Sequence, residues 1–195
     1  GWNVLAAIYS LLGQDQPGGV IAVPVQAPHV FEAIAARHGG KVIRTKSDTN
    51  SLMVEATNPG VVLAGDGNGG IIFPEFQPAM DAMFSVIKLI EILARHDAVL
   101  SEVVEQLPRY HVASAKVSCP WENKGRVMRL LSQQYQSEGP RSPDGVRIDL
   151  SDREWVLVLP DPDRPLFHVI AEAGSNDAAR SLMDKYSTLV SNLQR

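Results

Sequence analysis

Two short stretches combine residues able to do chemistry with a backbone able to bring them close to a ligand. The first is Gly65-Asp66-Gly67-Asn68-Gly69-Gly70, four glycines in six residues. Such a segment turns sharply and lets a ligand reach the main chain, while Asp66 and Asn68 offer a carboxylate and an amide suited to hydroxyl groups. A tight hairpin carrying solvated polar residues has the same composition, so both readings stand at this point. It is not a dinucleotide fingerprint, which needs a helix after the glycines, whereas Ile71 to Phe73 reads as a strand. The second stretch is Pro160-Asp161-Pro162-Asp163-Arg164-Pro165. Asp161 and Asp163 form an Asp-x-Asp pair of hard oxygen donors suited to Mg²⁺. The three prolines and the neighbouring Arg164 favour instead a rigid, internally neutralised surface loop.

Other chemistry is sparse. His29, His38, His96, His111 and His168 share no ligand-like spacing and read as solvated or hydrogen-bonded bystanders. Cys119 is the single cysteine, so no intrachain disulfide or thiolate zinc cluster can form, and it reads as a small buried hydrophobe. Net charge is −4 with a sequence pI of about 5.7, and no basic block interleaves with aromatics, which argues against nucleic acid as a partner. No apolar run approaches the roughly 18 residues of a membrane span. The chain opens on Gly1 without a signal-like leader; the expectation is a cytoplasmic piece of something longer, with no membrane partner.

The elements that must position these loops follow from periodicity. Trp2 to Leu12 has a helical apolar face and Gly13 as its stop. Val20 to Val25, a helix introduced by Pro28 and ended at His38-Gly39-Gly40, and Lys41 to Thr45 make a βαβ unit. Asn50 to Ala56 reads as a helix and Val61 to Ala64 as the third strand. Pro78 to Arg95 is a long helix whose stripe of Met80, Met83, Phe84, Ile87, Ile90, Leu93 and Ala94 reads as core, and Asp97 to Leu107 a shorter one. The alternation predicts an α/β layered domain with a mainly parallel sheet. The pattern changes at Leu107-Pro108-Arg109, giving domains 1–107 and 108–195. Beyond it come the strand His111 to Val117, a helix over Trp121 to Gln136 with Val127, Met128, Leu131 and Tyr135 inward, and the connector 137–143. The strand Val146 to Leu150, two further strands flanking the proline-rich loop and a last helix capped by Asn176 follow. That order predicts an α+β domain, an antiparallel sheet with two helices on one face.

The segment Leu159 to Pro165 with Glu172 and Ala173 resembles the phosphate-gripping loop Arg-Pro-Ser-Gly-Thr-Glu-Pro in the last domain of the phosphoglucomutase/phosphomannomutase (α-D-phosphohexomutase) superfamily. Pro160, Pro165, Glu172 and Ala173 fit. Leu159, Asp161, Pro162, Asp163 and Arg164 replace Arg, Ser, Gly, Thr and Glu. Gly65 to Gly70 is similar to the sugar-binding loop of that superfamily's third domain, Gly-Glu-x-Ser-Gly-His or Gly-Glu-Glu-Ser-Gly-Gly, which puts Asp66 at the Glu and Asn68 at the Ser that meet sugar hydroxyls. The phrase Asp144-Gly145-Val146-Arg147-Ile148 matches as well.

The resemblance implies the third and fourth domains of a four-domain architecture, with a sugar-binding role for Asp66 and Asn68 and a degenerate phosphate loop at Asp161, Asp163 and Arg164. The serine phosphorylation loop and the metal-binding Asp-x-Asp-x-Asp loop belong to the two domains before these. No catalytic residue and no cofactor is therefore expected in this chain; Mg²⁺ would belong to the full-length parent. The leading expectation is a non-catalytic sugar-binding, regulatory or assembly region of a longer sugar-phosphate protein, such as a mannose-1-phosphate guanylyltransferase with a mutase-like C-terminus. The alternative is the C-terminal half of a true phosphohexomutase. Either way the expected partners are a sugar or sugar phosphate and the parent's upstream domains, with oligomerisation open.

Overall fold

The polypeptide divides into two compact units, Gly1–Arg109 and Tyr110–Arg195. The computed structural model describes residues 1–135, 144–151 and 154–194. The expected connector 137–143 lies outside the described residues.

The first unit runs α1 (Trp2–Asp15), β1 (Val20–Pro24), α2 (Val30–His38), β2 (Lys41–Thr45), α3 (Thr49–Ala56), β3 (Val61–Gly65), β4 (Ile71–Ile72), α4 (Ala82–Arg95) and α5 (Leu100–Glu105). Its sheet has the order β2-β1-β3-β4, parallel across the first three strands, with β4 antiparallel to β3. Ile21, Ala22 and Val23 are fully buried, as expected for a central parallel strand covered on both faces. Local signals set the helix ends. Gly39 takes φ +68° and stops α2, and Asp48 accepts from the Ser51 amide at 2.8 Å to start α3. Glu32 on α2 receives a forked pair from Arg44 on β2 at 2.6 and 2.7 Å, and Arg44 also donates to the Ala27 carbonyl at 2.6 Å. Tyr9 donates to the Gly19 carbonyl at 2.9 Å; burial, with Glu32 adding repulsion, pushes its phenol up to about 12.

Two expectations are corrected here. Gly13 does not stop α1, which continues to Asp15; it is the point where α1 meets α2, since a Cβ there would come within 2.7 Å of the His38 ring. The apolar stripe of α4 does not face the core. Ser85 and Ile92 are its buried residues, while Met83, Ile87 and Ile90 are exposed. The Asp81 cap, which accepts from the Phe84 amide at 2.8 Å, and Phe84, wedged between Phe73 and Phe76, set this rotation.

The second unit runs β5 (His111–Ser118), α6 (Trp121–Tyr135), β6 (Val146–Ser151), β7 (Glu154–Pro160), β8 (Leu166–Ala173) and α7 (Asn176–Asn192). The sheet order is β5-β8-β7-β6, antiparallel throughout. Alternation along β7 and β8 sends Val156, Val158, Phe167, Val169 and Ala171 into one core with Val127 and Leu131 of α6 and Tyr186 and Val190 of α7, so both helices share one face. Trp155, paired across the ladder with Glu172, donates its indole N–H to that buried carboxylate at 2.7 Å. The cap of α7 is Ser175, not Asn176: its hydroxyl accepts from the Ala178 amide at 3.2 Å, and Asn176 is already helical. With Ser and Asn adjacent, both good caps, composition could not choose between them.

Candidate functional site: a sugar-loop candidate and a carboxylate-bearing loop

The Gly65–Gly70 segment is a two-strand turn organised by Asp66. Its Oδ1 accepts from the Asn68 amide at 2.7 Å and from the Gly70 amide at 2.9 Å, while its own N–H donates to the Gly70 carbonyl at 3.1 Å. Gly67, at φ +74°, lies on the Trp2 indole, where a Cβ would approach ring carbons to 2.4 Å. Trp2 in turn meets Phe31 edge-on at 5.8 Å. The loop therefore rests on an aromatic floor built from the starts of α1 and α2. Asn68 is exposed at the tip, and Asp66 is half-buried behind it. Among the described residues neither Asp66 Oδ2 nor the Asn68 side chain has a hydrogen-bond partner. Both residues lie at the carboxyl end of β3.

The Asp161–Pro165 loop is closed from below by a residue that the sequence reading did not single out. Lys124, in the first turn of α6 and buried, donates its ammonium to the Asp161 carbonyl at 2.5 Å and to the Arg164 carbonyl, and lies 3.9 Å over the Trp121 ring. Its signal was positional: Lys124 falls on the same helical stripe as Val127, Met128 and Leu131, an inward place for a charge. Asp161 Oδ1 accepts from the Asp163 amide at 2.9 Å and Oδ2 lies 2.8 Å from His168 Nε2. The His168 hydrogen bond, then that of the Asp163 amide, holds the Asp161 carboxyl below its ordinary range. His168 is thus one of the hydrogen-bonded histidines the sequence led us to expect, with Asp161 as its partner. Pro162, Asp163, Arg164 and Pro165 are exposed. Leu159, where the resemblance gives arginine, stands opposite His168, which stands opposite Lys116, so the three form one row at the base of the loop.

A carboxylate held ionised, with both oxygens already accepting, repels a phosphate dianion. The buried ammonium spends its described hydrogen bonds on main-chain carbonyls, so it builds the loop rather than facing outward. Among the described residues no group of three His, Cys, Asp or Glu side chains converges. No described helix is long and apolar enough to cross a membrane.

The chain thus carries a sheet of order β2-β1-β3-β4 with a polar glycine loop after β3, and a separate antiparallel four-stranded sheet. Residues 3–110 match the family model for phosphoglucomutase/phosphomannomutase, alpha/beta/alpha domain III, and the chain belongs to this family. The protein described as "Probable phosphoglucosamine mutase" of Methanopyrus kandleri is 32% identical over 190 residues, covering 96% of this chain and 42% of that protein. A phosphoglucomutase/phosphomannomutase of Thermococcus kodakarensis is 28% identical over 187 residues, covering 94% of this chain and 40% of that one. The chain thus spans about two fifths of the length of these relatives. Among solved structures, a phosphoglucomutase/phosphomannomutase family protein of Burkholderia thailandensis superposes with a TM-score of 0.79 at 18% identity, covering 98% of this chain and 41% of that one. The Aspergillus fumigatus N-acetylphosphoglucosamine mutase, solved in complex with GlcNAc-6P and magnesium, superposes with a TM-score of 0.69 at 15% identity, covering 100% of this chain and 46% of that one.

Proposed function

We propose that the chain is the sugar-recognising C-terminal part of a protein that interconverts hexose phosphates, with its two units serving as the third and fourth domains. The observation that supports this reading best is the preorganised loop after β3. Asp66 is fixed by two main-chain amides and keeps its second oxygen available beside the Asn68 amide. That loop follows the strand at the point where the order 2-1-3 reverses, which is where open α/β sheets take ligands. Asp66 and Asn68 accept from and donate to sugar hydroxyls. The transferable phosphoryl group and the Mg²⁺ that stabilises it come from the upstream part of the parent. The relatives' names suggest a glucosamine phosphate as substrate.

A second reading, a non-catalytic sugar-binding, regulatory or assembly region, has one specific observation in its favour. The loop at Asp161 presents carboxylates where the resemblance supplies hydroxyls. A nucleotidyltransferase parent would fit that reading, but the relatives reported above are mutases.

Saturation-transfer NMR of the chain with glucosamine 6-phosphate tests the sugar loop. The signal from the ring protons is expected to fall on Asn68→Ala, whose side chain holds no part of the loop. An undiminished signal contradicts the assignment. The parent's sequence before Gly1 separates the two readings: a serine loop with an Asp-x-Asp-x-Asp loop supports the mutase, and a glycine-rich nucleotidyltransferase signature supports the other.

A further inference from the structure

Strand β5 is an edge of the second sheet, so one row of its main-chain N–H and C=O groups faces away from β8. Native edges of this kind are blunted by bulges or prolines, and β5 has neither: its eight residues pair with β8 in unbroken register. Helix α7 packs on β5 and β8 and runs alongside β5 in the same direction. His111 Nδ1 lies 3.1 Å from Asn176 Oδ1 at one end, and the Gln194 side chain donates to the Ser118 carbonyl at 2.9 Å at the other. Between strand and helix lies a groove of about 410 Å³, lined by Val112 and Ser114 of β5 and by Asn176, Arg180, Met183 and Asp184 of α7. Arg180 and Asp184 are exposed, and among the described residues neither side chain has an ion pair or hydrogen bond. They stand at i, i+4 with the cation first, the less favourable order for pairing within one helix.

We propose that this edge is the dimerisation surface of the chain, with β5 of a second copy paired antiparallel to it about a two-fold axis. Charge complementarity chooses a second copy as the occupant. A two-fold axis between Arg180 and Asp184 brings each Arg180 to Asp184 of the other copy, so two charges idle in one chain become two ion pairs. The strand agrees with the helix on where that axis falls. The midpoint of Arg180 and Asp184 lies about 9 Å beyond Asn176, at about 1.5 Å per helical residue. Starting from His111 at about 3.4 Å per residue, that level is Ser114, near the middle of β5. Ser114 then faces itself across the seam, and Val112 faces Lys116 of the other copy. The spacing closes as well. With strands about 4.8 Å apart, a helix seated under β5 and β8 lies about 5 Å from the seam. The two copies of α7 are then about 10 Å apart, a normal helix packing distance, with Met183 between them. The result is a continuous eight-stranded sheet with both copies of α7 on one face. This inference rests on the second unit alone and not on the sugar-binding reading.

Sedimentation of the whole chain with paired charge reversals tests this. The unaltered chain should pass from monomer to dimer as its concentration rises. Arg180→Asp alone and Asp184→Arg alone each set like charges against each other across the axis, and each should weaken the dimer at least about tenfold. An equimolar mixture of the two variants restores both ion pairs between unlike chains, and should dimerise as the unaltered chain does. Both positions are exposed on α7, so circular dichroism should show each variant folded. Disulfide trapping reads the strand register independently, because the native Cys119 is buried. Ser114→Cys should form a covalent dimer on oxidation. Lys116→Cys should do so only when mixed with Val112→Cys. A chain that stays monomeric at millimolar concentration, with Ser114→Cys uncrosslinked, overturns the proposal. So does a dimer that the charge reversals leave unchanged, which would place the contact on another surface, or a variant mixture that stays monomeric.

Discussion

The Lys124 ammonium donates to the Asp161 main-chain carbonyl across 37 residues of sequence, joining the first turn of α6 to the start of the β7–β8 loop. Because it also reaches the Arg164 carbonyl, one buried charge spans the loop from its first residue to its fourth. Lys124→Met keeps the stem but leaves both carbonyls without this donor. Hydrogen bonds to charged groups contribute about 1.5–3 kcal/mol, and unfolding in urea should show a loss of that order. Amide exchange at Leu166, which donates to Arg164, should quicken in the same variant. Unchanged stability and exchange would show that the lysine is not the latch.

Acidification should loosen the same loop. The Asp161 carboxyl is held below its ordinary value of 3.8, so its contribution to stability is present above that value and disappears as pH falls through the lower folded value. Asp161→Asn is expected to flatten this acid limb while leaving stability near neutral pH lower. A limb of the same slope in both proteins would assign it to other carboxylates.

Asp66 and Asn68 should behave differently on replacement. Asp66→Ala removes the acceptor of two main-chain amides, and the loop should lose order, visible as rapid exchange at Asn68 and Gly70 and a stability loss of about 1–2 kcal/mol. Asn68→Ala should leave stability within about 0.5 kcal/mol, as for an exposed tip. Gly67→Ala, strained at its positive φ and driven into Trp2, should cost at least about 1 kcal/mol and blue-shift or broaden the tryptophan emission.

In the first unit, Tyr9→Phe removes a hydroxyl that donates to the Gly19 carbonyl at 2.9 Å and lies 3.4 Å from the Lys41 carbonyl. The ring stays packed, so a decrease of about 1 kcal/mol is expected in chemical denaturation.

Much of the layered order was legible because it rests on local signals: glycine after α2, proline before it, and apolar runs too short for anything but buried strands. The change of pattern after Pro108 likewise identified the alternating strand β5. What periodicity could not give was direction. The α4 stripe has helical spacing whichever way it faces, and its rotation is set by Phe84 against Phe73 and Phe76. Lys124, and the partner of His168, were missed for a related reason. The partners of both side chains lie on the proline-rich loop, and only the register of β7 with β8 and the position of α6 bring them there. Asp66 was visible from its glycine neighbours, but its commitment of one oxygen to the loop's own amides was not.

Calorimetry at low salt, where charge-driven binding is strongest, is the direct test of the proposal that this chain keeps a sugar loop while its distal loop does not grip phosphate. Titration with glucose 1-phosphate, mannose 1-phosphate and the corresponding 6-phosphates should give binding no tighter than that of the unphosphorylated sugars. Asp161→Ser should change this little, because Asp163, Pro162 and Leu159 remain. Micromolar affinity for the phosphates, lost on Arg164→Ala, would contradict the claim and place an anion in the loop after all.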